Sequence, residues 1–430
     1  MIGENMENDD ELFLNHDEVI DYLAEFKKNS DHLYGYEGEE FGIAPYITFY
    51  IYHQEDEVEA IANQIIDIYE EFENEIIDKP LKLKYRYKTS AWKNADKWQL
   101  TRQELLDEMH EGYKKYFVYY IAATTADFPN QSARWALESS IQEINDRYTV
   151  LKMNFGDKWY REHKKRWYDF VQKCLTKLNP IQAYCGYEIG TATSFNYISP
   201  EFETVERIFS DYFYGLDIDH PNMSHSHNDP DGFIYTPSLA AGIRPPTWCF
   251  LLSPYWLEKL GLSEEKIREK LNDPRIEITK LIDPNDPEKY SLWIRLGELS
   301  LYPVEEGVPD LLVMANELIK PIRCNDLKLT TLDAWDDDPN PRFDIENSPQ
   351  WIARFDQDSD WPEGKRVIIN NNPPKAHVRL SFQAGEICPR SGYWFTVAKI
   401  NSRQYFNEGE VFPNFKNNWG MVYWQFSGEE

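Results

Sequence analysis

Cysteine is scarce. Five occur in 430 residues, at 174, 185, 249, 324 and 388, an odd number with no C-x-x-C pair. That argues against a disulfide framework and fits reduced thiols in a cytoplasmic protein. No run of about 18 apolar residues occurs, so no segment reads as a membrane-spanning helix. Met1 to Ser30 is acidic and lacks an apolar stretch of the signal-peptide kind, so no signal peptide is expected. Bases are under-represented: 45 Lys and Arg stand against 74 Asp and Glu, a net charge of −29. Such a field repels a phosphate backbone and attracts a basic protein. Also missing are G-x-S-x-G, Walker A, H-E-x-x-H and G-x-G-x-x-G patterns. Their absence removes the commonest enzyme readings.

Aromatics are plentiful, with 14 Trp, 28 Tyr and 23 Phe. They fill cores, and Tyr and Trp also serve at binding surfaces. Charge is unevenly placed. Residues 1–80 hold 23 acids and 3 bases, whereas residues 81–180 hold 19 bases and 12 acids. The two blocks are expected to neutralise each other in part.

Periodicity predicts an α+β fold, with mixed sheet flanked by amphipathic helices. Ile43–Tyr52 reads as a strand. Val58, Ile61, Ala62, Ile65, Tyr69, Phe72 and Ile76 follow helical spacing, with an acidic outer face. Leu81–Lys88 alternates strictly and predicts a strand with a solvated basic face. A strand at Tyr148–Phe155, a helix over Asp157–Leu178 and a strand at Ala183–Ile189 follow. The order strand–helix–strand thus occurs twice, at 43–87 and 148–189, which suggests a duplicated unit. Further strands are expected near Trp248–Leu252 and Leu292–Leu299, and a helix at Asp310–Lys320 stopped by Pro321. The expected organisation is an acidic N-terminal segment (1–35), an α+β domain (36–330), a linker (331–345) and a small β-rich domain (346–430).

Three clusters could carry chemistry. His225 and His227, with His220 and Asp229 nearby, have metal-like spacing, but a solvated turn after Pro221 is the plainer reading. Asp356, Asp358 and Asp360 open like a calcium loop. Trp361 stands where the loop needs glycine and Val367 where it needs glutamate, so an EF-hand fails. The acidic helix face (Glu55, Asp56, Glu59, Asp67, Glu70, Glu71) suits either solvation or a basic partner. No catalytic, cofactor or metal site is expected. The candidate interface comprises those six acids with His225, His227 and Asp229.

Two stretches resemble known families. Tyr214 to Pro221 (YGLDIDHP), Ala241 to Trp248 (AGIRPPTW), Leu257 to Gly261 and Tyr290 to Arg323 together resemble the type VI secretion immunity family, with spacing that runs from about 43 to 323. In the tail, Ala384 to Thr396 (AGEICPRSGYWFT), Ser402 to Phe406, Gly409 to Pro413 and Trp424 to Phe426 are similar to the C-terminal module of a second polymorphic-toxin immunity family. The resemblance implies a cytoplasmic immunity protein that binds and neutralises an effector toxin by occlusion, without catalysis. The charge suggests a basic toxin, one that targets nucleic acid. The family transfers no catalytic residue, and Gly242, Arg244 and Trp248 read as fold residues. The alternative is a carbohydrate-active or carbohydrate-binding protein built on aromatics and paired carboxylates. A third reading, an enzyme that reverses toxin damage, would rest on the histidine cluster alone.

Overall fold

The computed structural model describes residues 16–36, 39–53, 57–86, 91–97, 100–116, 118–132, 135–142, 148–191, 199–221, 226–228, 235–237, 242–325, 327, 329, 341–344, 346–362, 381–396, 399, 402–414 and 422–428. Two compact units emerge, residues 1–368 and 369–430.

In the larger unit the chain opens with α1 (His16–Lys28), β1 (Tyr34–Tyr36), β2 (Glu39–Phe41), β3 (Ile43–Tyr52) and α2 (Val58–Glu71), which runs on as one π turn over Phe72–Ile76. Next come β4 (Leu83–Arg86), β5 (Ala91–Asn94), α3 (Arg102–Tyr116), β6 (Val118–Thr124), β7 (Ala136–Gln142) and β8 (Tyr148–Asn154). Helices α4 (Asp157–Glu162) and α5 (Lys164–Leu178) lead to β9 (Gln182–Ile189) and α6 (Pro200–Ser210). A small hairpin, β10 (Ser226–Asn228) with β11 (Tyr235–Pro237), precedes β12 (Cys249–Leu252), α7 (Pro254–Leu260) and α8 (Glu264–Lys270). The unit ends with β13 (Ile276–Ile282), β14 (Tyr290–Leu296), α9 (Asp310–Ile319) and α10 (Asn347–Ile352).

Ten strands form one sheet in the order β13-β14-β12-β9-β3-β8-β7-β6-β4-β5. Neighbours within it pair antiparallel throughout, so the α+β class holds with an antiparallel rather than a mixed sheet. β3 is central. Its odd-numbered residues Ile47, Phe49 and Ile51 face one core and its even-numbered Tyr46 and Tyr50 face the other. Helices α1, α2, α5 and α6 contribute to the first core, and α7 to α10 to the second. Burying a large apolar side chain contributes about 1.5–3 kcal/mol, so each layer is held mainly by its aromatic and branched residues.

The two strand–helix–strand stretches do not make equivalent units. β8 and β9 flank β3 directly, whereas β3 and β4 have three strands between them. The helix expected over 157–178 breaks at His163, whose backbone departs from helical geometry before α5 begins. The boundary near 346 also moves. Phe343, Trp351, Phe355 and Trp361 are buried in the second core, so the segment through 362 belongs to the larger unit. α1 likewise docks on the first core through Val19, Tyr22, Leu23 and Phe26. Most of the expected linker lies outside the described residues.

Unit 369–430 holds a four-stranded antiparallel sheet, β15 (Ser381–Gln383), β18 (Tyr423–Gly428), β16 (Gly392–Phe395) and β17 (Gln404–Phe406), in that spatial order. Its core is Cys388, Trp394, Phe406, Phe412, Val422 and Trp424. The expected strand at 367–369 lies outside the described residues.

Candidate functional site

The acidic face of α2 was one of the interface candidates, and its surroundings decide how it behaves. α2 buries Val58, Ile61, Ala62, Ile65, Ile66, Ile68 and Tyr69, leaving its carboxylates to the outer side. α5 buries Trp167, Phe170, Val171, Cys174, Leu175 and Leu178, which turns Lys173 and Lys177 outward one turn apart. The two helices share the first core, and their outer charges meet. Asp67 pairs with Lys177 and, at 2.6 Å, with Arg102 at the start of α3. Glu70 pairs with Arg102 at 2.9 Å, and Glu71 with Lys173. Burial pushes the Asp67 carboxyl up, but hydrogen bonds from Lys177 and Arg102 outweigh it and leave Asp67 below its usual value. The face is therefore a layer of ion pairs that still touches water. Glu59 is exposed at the first turn. Glu55, Asp56, His225 and Asp229 lie outside the described residues, and His227 pairs through its backbone with Thr236 across the β10–β11 hairpin.

The basic face of β4 is likewise engaged. Arg86 is buried against Glu108, with an Nε–Oε2 distance of 3.1 Å, and Lys84 pairs with Glu73 at 2.6 Å. The expected solvation fails at Lys84 and Arg86 because α3 and the π turn lie against them with carboxylates, whereas Lys82 is exposed. Beside the π turn lies a cleft of about 530 Å³, lined by Glu73, Asn74, Asp78, Lys84, Asp96 and others. Glu73 is held there by Lys84, and Asp78 accepts from Trp135 Nε1 at 2.6 Å.

The opposite face of the sheet carries a second network, which the sequence did not reveal. Tyr46, Thr48 and Tyr50 alternate along β3 and aim their hydroxyls at one loop. Tyr46 donates to Asp217, Thr48 to Asp219, and Tyr50 to Asp219 at 2.6 Å. Arg244 bridges both carboxylates, reaching Asp217 at 2.9 Å, and also donates to the Ile218 carbonyl. Lys152 on β8 contacts Glu188 on β9 at 2.7 Å and the Asp219 carbonyl at 2.6 Å. Asn154 donates to Glu188 at 2.9 Å. Every one of these residues is buried. Burial raises the Asp219 carboxyl, yet Arg244 and Lys152 outweigh it and hold Asp219 well below the carboxylate range. Glu188 lacks so close a guanidinium, and burial takes it up to about 8. His220 is also buried, with Nε2 2.6 Å from Glu206, and burial lowers it to about 4.

The network clamps two stretches, 217–220 and 242–244, to the sheet. Gly242 enters at φ 152°, and a side chain there would collide with the Cys324 backbone. The sequence signal was available in the hydroxyl residues alternating along β3 and in the Asp-Ile-Asp triplet. Nothing in the sequence joined them. With every group enclosed, this arrangement stabilises geometry and offers no reacting atom to a substrate.

Asp356 of the calcium-like run is taken by Arg323 at 2.8 Å and Lys320 at 3.0 Å. Among the described residues no cluster of three His, Cys, Asp or Glu has metal-holding geometry. All five cysteines are buried and unbridged. No helix among the described residues is long and apolar enough to cross a membrane.

These features define an α+β protein with a broad antiparallel sheet, a clamped polar interior on one face and an ion-paired acidic layer on the other. The family described as type VI immunity for VRR-NUC, TsiV, matches residues 64–355, and the chain belongs to it. It is thus a member of a type VI secretion immunity family, as the motifs between Tyr214 and Arg323 implied. A Pseudomonas aeruginosa T6SS protein, PA0821, is similar in structure, with a TM-score of 0.56 at 16% identity. That alignment covers 80% of this chain and 93% of the other, and it shows a shared fold. No curated protein matches the chain.

Proposed function

We propose that this chain neutralises a cognate type VI effector by binding it directly and occluding it, without catalysis, in the cytoplasm of the producing cell. The family match over 64–355 carries the reading. The effector class follows from the family's description, which names VRR-NUC, and a nuclease must present cations to phosphate. An acidic protein competes for the same cations and is steered to them by its field.

The proposed interface is the outer side of α2; the segment that holds His225, His227 and Asp229 is a second candidate surface. Asp67, Glu70 and Glu71 already hold cations, yet that is no obstacle. Exposed pairs are worth about 0–1 kcal/mol each, so exchanging Arg102 or Lys177 for an effector cation costs little.

The test is co-expression with the toxin encoded beside this gene, reading survival and affinity at low and high salt. Rescue with affinity that falls as salt rises is expected. Neither rescue nor binding would sink the reading. Binding that salt leaves unchanged would remove the acidic layer from it. The carbohydrate alternative gains no support from the cleft beside the π turn, whose Glu73 and Asp78 are already bonded.

A further inference from the structure

The family match stops at residue 355, so unit 369–430 lies beyond it. Charge separates the unit too. It holds 5 acids and 6 bases, a net of +1, while residues 1–368 carry −30. An antiparallel sheet with one packed face ordinarily turns polar side chains to water on the other. In this sheet Gln383 shares that outer face with aromatic side chains. Trp394, Phe406 and Trp424 point into the core, so their strand neighbours Tyr393, Phe395, Tyr405 and Tyr423 take the outer face. Tyr393 and Tyr405 are direct partners across β16 and β17, their rings edge to face at 5.3 Å. The Arg403 guanidinium sits 4.2 Å from the Tyr393 ring centre. Tyr405 is 50% exposed and Tyr423 41%. Of the eight exposed large apolar side chains among the described residues, four belong to this small unit. The four strands contain no Asp, Glu, Lys or Arg at all. Tyrosine with a flanking arginine and no carboxylate is the composition of a protein-interface centre.

We propose that this tyrosine face is a homodimer interface, occupied by the same face of a second copy of the chain. Charge selects the occupant. Two chains of −29 repel one another, and this unit is the region where that repulsion falls away. A basic effector, by contrast, gains no steering from a unit of net +1. Phenol hydroxyls both donate and accept, so like faces satisfy each other about a two-fold axis. Four partly covered aromatics supply less than the roughly 800 Å² per partner of a standard interface, so dissociation falls in about the micromolar range.

Sedimentation velocity on the full chain, from about 1 to about 200 µM, tests this. A monomer–dimer equilibrium is expected for the native chain. Tyr405→Asp and Arg403→Glu, both at exposed positions, should each raise the dissociation constant at least about tenfold, with the circular dichroism and thermal midpoint unchanged. A native chain that stays monomeric throughout overturns the proposal, as does a dimer that both variants leave intact. If the native chain is monomeric and Tyr405→Asp loses toxin binding instead, the occupant is the effector. The dimer outcomes are independent of the immunity reading, because sedimentation alone decides them; only the effector arm involves the toxin.

Discussion

Two ionic networks lie on opposite faces of one sheet, and they are built from the same residue types. On one side Asp67, Glu70 and Glu71 meet Arg102, Lys173 and Lys177 in contact with water. On the other, Asp217, Asp219 and Glu188 meet Arg244 and Lys152 with none of them accessible. Solvent makes the difference. Water re-solvates any charge released in the outer layer, so its pairs are exchangeable. The inner charges have no such recourse, so each depends on the partner it has, which suits a clamp.

The sharpest way to break this comparison is Arg244→Met. It leaves Asp217 and Asp219 buried without their cation and should cost about 3–5 kcal/mol in urea unfolding. A loss under about 1 kcal/mol would mean that water reaches the clamp.

The next effect is on pH dependence, at the edge of the same network. Burial holds His220 down to about 4, and burial with neighbouring Glu203 holds Glu206 well above its usual range. The folded pair keeps one proton, on Glu206. The unfolded chain also holds one between about pH 4.5 and 6.5, on histidine, and none above. The pair's contribution is therefore flat below about pH 6.5 and falls as pH rises beyond it, by about 1.4 kcal/mol per unit. Glu206→Gln should abolish that fall, and should introduce a loss of stability as pH drops below about 6.5, where histidine protonates only in the unfolded chain. Urea midpoints of both proteins at three pH values would show it, and parallel profiles would refute it.

Smallest is Lys177→Ala in the outer layer. It should cost under about 1 kcal/mol, and less still at high salt. A larger, salt-insensitive loss would show that the outer layer is a clamp as well.

The two faces also differed in how far the sequence disclosed them. β3, α2 and α5 were legible because their apolar residues repeat at strand or helix spacing. β7 was not, since Glu138, Ser139 and Ser140 look like solvent-facing residues and are buried. Lys152 and Glu188 mislead similarly, because pattern reading equates charge with surface and this interior is charged. The acidic face of α2 was legible as a face. Its neutralising partners were not, because Arg102 and Lys177 lie 35 and 110 residues from Asp67 and only the tertiary fold brings them together. The opposite charges of the first two blocks were the one numerical hint, and these pairs realise their partial neutralisation.

β3 has a further consequence, in time rather than in space. Its partners β8 and β9 begin 96 and 130 residues after Tyr52, and β9 ends at Ile189. At ribosomal speeds of about 5–20 residues per second, the 137 residues from Tyr52 to Ile189 take about 7 to 27 s to emerge. Until β8 emerges, ending at Asn154, the central strand has both edges unpaired, and the edge that β9 covers stays unpaired until Ile189; such long-range closure is intrinsically slow. Newly made chains therefore lag their own synthesis in completing the sheet, so under the proposed immunity function protection at the moment of attack rests on protein already stockpiled.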